Sequence, residues 1–196
     1  MSPRPLSRRF VHGVGLALAF GLSLAGLIIG AITLPDSWWL LSWVGFPMVG
    51  AFILWKRPGH RMGHLLLFIG LAWSLTLFLE GLLDGGMTDL ARVWVEMLSS
   101  ILSYWAFVAL ALIPVLFPHG APATGFDRFL SRALLVVWGA VVFAELISPV
   151  PKEITGLVSP LALEGLSGFS AFMLDQGFFL IPLLLLVALG SLVRRW

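Results

Sequence analysis

The chain has 196 residues, of which 59% are hydrophobic and only 11% charged, against about 25% charged in an ordinary soluble domain. That leaves too little polar side-chain surface to coat a globule in water, and points to a bilayer instead. A net charge of +2 is too small to argue for a polyanion partner, and the absence of cysteine excludes disulfides, thiolate metal sites and cysteine nucleophiles.

At the amino terminus, Arg4, Arg8 and Arg9 precede an uncharged run over 11–33. The apolar core of a signal peptide covers only about 7–15 residues, whereas this run is long enough to cross about 30 Å of hydrocarbon as a helix. It is therefore predicted to be a retained first span. Gly13, Ala17, Gly21 and Ala25 form a ridge of small residues along it, and Gly26 with Gly30 makes a GxxxG pair, so close packing against a neighbour or a second copy is expected. A second span is predicted over 37–55, with Trp38, Trp39, Trp43 and Trp55 near its ends and Pro47 as an internal kink.

The stretch WKRPGHRMGH at 55–64 puts Lys56, Arg57, Arg61, His60 and His64 between two apolar runs. Pro58 and Gly59 break the helix, which predicts a short basic turn held at an anionic leaflet. The i, i+4 spacing of His60 and His64 also places two imidazoles on one helical face, and His12 and His119 map to the same side. No cysteine or acid stands beside that pair to complete a ligand set, so no metal site is expected.

Further spans are predicted over 65–83, 93–117, 129–150 and 169–193, with Pro114 and Pro182 as kinks in the fourth and sixth. Backbone amides left unpaired in lipid are costly, and the runs show no alternation suited to a barrel, so each span should be helical. The expectation is an all-α, polytopic membrane protein: one transmembrane domain over 1–196, six spans, both termini on the same side.

Charge is divided unequally between the two sides of this arrangement. The side of the termini holds Arg4, Arg8, Arg9, Lys56, Arg57, Arg61, Arg128, Arg132, Arg194 and Arg195 with one acid, Asp127, for a net +9. The other side holds Arg92 and Lys152 against nine acids, for a net −7. Basic residues near span ends resist translocation, so the first side is predicted to be cytoplasmic, in a bacterial cell membrane.

Acids near hydrocarbon are expensive and lean towards function. Glu145 lies 13 residues beyond Arg132, about 20 Å along a helix, with Glu80, Glu96 and Asp175 nearer the outer headgroups. One reading is an acid-lined outer vestibule that takes a cation, a cationic peptide or protons, with Glu145 as its deepest member. The other is four interfacial acids with no ligand, Glu145 being drawn outward by Pro149 and Pro151. Gly165-Leu166-Ser167-Gly168 has the G-x-S-G form of a serine nucleophile motif, but no histidine follows it to act as base, so a flexible turn is expected there.

Two of the basic turns carry a resemblance. Arg57-Pro58-Gly59 followed by Gly63-His64-Leu65-Leu66-Leu67 resembles the R-P-x-N-x-x-G-W-L-L turn in the amino-terminal membrane region of bacterial sensor histidine kinases. Leu116-Phe117-Pro118-His119-Gly120 with Pro122 is similar to the L-F-P-D-G-x-x-P that closes a later span there, and Gly190 to Arg195 looks like the helix that exits towards the cytoplasmic coiled coil. Histidines stand at 64 and 119 where that family has tryptophan and an acid. A phosphoacceptor helix and an ATP-binding module are not found in these residues. The resemblance therefore implies a non-catalytic input module, part of a longer receptor or freestanding, with no cofactor, acting on a homodimer mate or a signalling partner and not on nucleic acid. A transporter or transporter subunit for a small or cationic solute is the alternative, with kinked spans and Glu145 lining a path.

Overall fold

A computed structural model describes residues 6–33, 38–83, 86–117 and 120–195, and within its helices the side chains of 6–12, 33, 38–40, 178, 181 and 195 are not described. Arg4, Asp36, Asp84, His119 and Trp196 lie outside the described residues, as do the side chains of Arg8, Arg9, His12, Trp38, Trp39 and Arg195.

The described chain is all helical and contains no strand. Helix α1 runs Leu6–Thr33, followed by a 3-10 segment, Trp38–Val44, and by α2, Gly45–Lys56. Then come α3 (Arg61–Leu82), α4 (Asp89–Leu116), α5 (Gly125–Ile147), a 3-10 turn at Glu164–Leu166, and α6 (Ser167–Arg195). By length and composition, four helices suffice to cross a membrane: α1, α3, α4 and α5.

The other two predicted spans take a different form. The second is split: seven residues of 3-10 helix lead into a twelve-residue α2, too short alone to span. Pro47 is not a kink within a longer helix but sits in the first turn of α2, where its missing N–H has no helical acceptor to lose. The sixth is bent by 44° between Glu164–Gly177 and Pro182–Arg194, the break a proline is expected to make. Pro114, in contrast, is buried in the last turn of an uninterrupted α4.

Helix α3 is central and packs against α1, α2 and α4. Its partners come close because glycines face it. A Cβ on Gly50 of α2 would lie 2.6 Å from the Leu67 amide nitrogen, and one on Gly70 would lie 2.7 Å from the Pro47 ring. On α1, a Cβ on Gly26 would come within 2.5 Å of Ser74, and the Ser74 hydroxyl donates to the carbonyl oxygens of Ser23 on α1 and Gly70 on α3. The GxxxG pair thus packs on α3. The ridge of Gly13, Ala17, Gly21 and Ala25 faces outward, and a Cβ on Gly13 or Gly21 would meet nothing within 4 Å. The second core joins α4, α5 and α6 through Val108, Val115, Leu134, Trp138, Val141 and Ala188.

Connections gather the charges at opposite ends of the bundle. The turn after α2 carries Gly59 at φ 86°, a backbone conformation that disfavours a side chain. The loop before α5 folds over the start of α3, where a Cβ on Gly120, at φ 72°, would lie 2.9 Å from Arg61 Cβ. Thr124 and Asp127 form a reciprocal capping box at the start of α5. Asp127 is fully buried and also accepts from the Ser191 hydroxyl of α6, which brings the last turn of α6 to this same end. Lys56, Arg57, Arg61, Arg128, Arg132 and Arg194 are all exposed there.

Candidate functional site

The opposite end holds a polar chamber of about 350 Å³ between α3, α4, α5 and the segment 148–163 that links α5 to α6. Helical spacing builds its walls. Glu80 comes from α3, with Thr76 one turn before it on the same helix but outside the lining, and Glu96, Ser99, Ser100 and Ser103 share a face of α4. Across the helix pair, the Ser99 hydroxyl donates to Glu80 Oε1 at 3.0 Å, and the Thr76 hydroxyl lies 3.4 Å from both the Ser99 carbonyl oxygen and Ser103 Oγ.

Glu145 enters from the last turn of α5, where it is 8% exposed. Its helix stops at Ile147, and Pro149 and Pro151 reverse the chain so that Lys152 returns under it. Lys152 Nζ donates at 2.7 Å to Glu145 Oε1 and at 2.7 Å to the Glu145 carbonyl oxygen, forming a buried ion pair that also caps the helix end. Tyr104 Oη donates to the other oxygen, Oε2, at 3.3 Å. Glu96 is 4% exposed, and its two oxygens accept the backbone N–H groups of Ile154 and Thr155 at 2.8 and 2.9 Å. A buried carboxylate bound this way needs no side-chain partner.

Towards the basic end, aromatic rings from α3, α4 and α5 pack together. Tyr104 packs 5.9 Å from Trp138, whose ring stacks on Phe107 at 6.5 Å, and Phe107 meets Trp73 edge-on at 5.5 Å. Tyr104 itself lines the chamber, whereas Trp73, Phe107 and Trp138 lie further along their helices towards the basic turns than the chamber residues do. The indole N–H groups of Trp73 and Trp138 are buried without a hydrogen-bond partner.

Three of the four acids singled out in the sequence, Glu80, Glu96 and Glu145, therefore share one cavity. Asp175 does not join them; it is exposed on α6, next to Leu174, which lines the chamber. Sequence reasoning missed Glu153 and Lys152 as lining groups, the serine stripe of α4, and Tyr104. With Glu80, Glu96, Glu145 and Glu153 against Lys152, the lining carries a formal −3 when all are charged. No three His, Asp or Glu among the described residues are placed to hold a metal ion. At the basic end, His64 Nδ1 lies 3.1 Å from the carbonyl oxygen of His60, so its ring is engaged with backbone, not with the His60 ring. Ser167 is the first residue of α6 and is not a loop residue.

No protein-family model, curated protein or solved structure matches the chain.

Proposed function

We propose that this chain is a non-catalytic sensory or regulatory input module of a bacterial cytoplasmic membrane, in which a stimulus at the acidic chamber shifts α6 and so its Arg194-Arg195 exit. Both termini are assigned to the cytoplasm, on the strength of the exposed cations gathered at one end of the bundle. The observation that carries the reading is the wall of the chamber formed by residues of 148–154, in the segment that leads on into α6, whose Leu174 also lines the chamber. Anything that changes the contacts of Glu96, Glu145 or Lys152 acts on that segment first. The likeness of the two basic turns to those of sensor histidine kinases supports the same direction of signalling, from the acidic side to the exit helix. A switch of this kind requires unequal affinity for two packed states.

Joining residues 1–196 in frame to a histidine kinase catalytic module gives a direct readout. Glu145→Gln is expected to change autophosphorylation severalfold in membranes. Unchanged output would remove Glu145 from the mechanism.

Transport is the second reading, and the 44° bend of α6 is the observation that favours it, since broken helices line paths in many carriers. Against it stands the aromatic cluster of Trp73, Phe107 and Trp138, which packs among the helices on the side of the chamber towards the basic end. Solute flux in proteoliposomes that is lost in Glu145→Gln would reverse this ranking.

A further inference from the structure

The segment 148–163 is tied down at three levels. At its base, Leu163 N–H donates to the Ile147 carbonyl oxygen at 2.9 Å, and the Ser159 hydroxyl donates to that of Leu146. At its tip, Ile154 and Thr155 hang on Glu96. Between them, Lys152 is 6% exposed, and its backbone closes a small loop of its own, with Lys152 N–H on Leu157 O at 2.8 Å and Gly156 N–H on Lys152 O at 2.9 Å. This is an ordered strap rather than a slack connection.

The first half of α6, next in the chain, is held far less firmly. From Ser167 to Gly177, only Ser170 and Gly177 are buried, whereas Phe172 is 57% exposed. In lipid, exposed apolar surface gives little drive for one helix to pack on another, so packing and polar ties must hold the segment in place. Its ties to the bundle are the Phe143–Phe169 ring pair at 6.4 Å, the close approach of Gly177 to Val141, and Leu174, which packs half-buried against the core of α4 and α5. Beyond Gly177 comes the bend that precedes Pro182.

We propose that the strap and the first half of α6, residues 148–177, move as one body, with the Lys152 ammonium on Glu145 as the ion-pair catch among the ties that hold it shut and the bend at 178–181 as its hinge. The regulatory purpose of this device rests on the sensory reading. Its motion is a property of the chain alone and is measured without a partner, so the two ideas fail separately.

The absence of cysteine allows paired spin labels at chosen sites in the full chain in lipid nanodiscs. Labels at exposed Val158 on the strap and exposed Phe172 on α6 would each be paired with one at exposed Val136 on α5, and a Val136–Leu98 pair would serve as control. Lys152→Met is expected to shift or broaden both test distances by about 5 Å, one helical turn, and to leave the control pair unchanged. Should the lone Glu145 charge prevent folding, Lys152→Met with Glu145→Gln removes catch and charge together, and the same displacement is expected. A change confined to Val158, no change at either site, or an equal change in the control would each overturn the proposal.

Discussion

Lys152 and Glu145 show how much hangs on one contact when it is buried. Both side chains are nearly sealed, at 5% and 11% exposure, so removing one partner leaves a charge without a counter-ion. Lys152→Met alone should cost about 3–5 kcal/mol, while replacing both by apolar residues of similar size should come close to neutral. Thermal unfolding of the single and double variants in one detergent checks this, and equal losses in both would contradict it. The cost of a charge near hydrocarbon is enough to single out Glu80, Glu96 and Glu145 in the sequence. Lys152 counts there only as one of the outer residues, because a tally of charges by side is blind to the chain reversal that Pro149 and Pro151 make. Asp175 shares its level along the span with the other acids, but adjacent helical residues diverge by about 100°, so with Leu174 turned to the chamber Asp175 points away from it.

Among the elements, the sharpest contrast is between glycines that touch a neighbour and glycines that do not. Gly50→Ala would drive a methyl to within 2.6 Å of α3 backbone and is expected to destabilise by about 1–3 kcal/mol, with α2 displaced. Gly21→Ala meets nothing and should be neutral or stabilise by up to about 1 kcal/mol through helix propensity. Comparing their unfolding temperatures with wild type decides the matter. Four of the predicted spans appear as single long helices because an unbroken apolar run in lipid has few alternatives to the helix. The second and sixth are less legible, since a hydropathy window counts apolar side chains and does not register a 3-10 start or the direction of a bend. The GxxxG pair on α1 points to a real contact, whereas the longer ridge beside it faces away from the bundle; spacing alone marks a face and not its occupant.

For the whole molecule, the division of charge between two ends is readable from the sequence, and among the described residues Lys56, Arg57, Arg61, Arg128, Arg132 and Arg194 form a basic rim while Glu80, Glu96, Glu145 and Glu153 line one chamber. The side each end occupies is an expectation that single cysteines can test. A membrane-impermeant maleimide should label Glu164→Cys in intact cells and label Gly59→Cys only after the membrane is opened; the reverse pattern would exchange inside and outside throughout. The aromatic cluster beside the chamber is not legible, because Trp73, Phe107 and Trp138 come from three helices and no local pattern joins them. The seven-residue separation between Glu145 and its cation also bears on biogenesis. Acid and counter-ion leave the ribosome almost together, so neutralisation requires no later helix. The nascent chain can hand a charge-compensated hairpin to the insertion machinery before the final span has been synthesised.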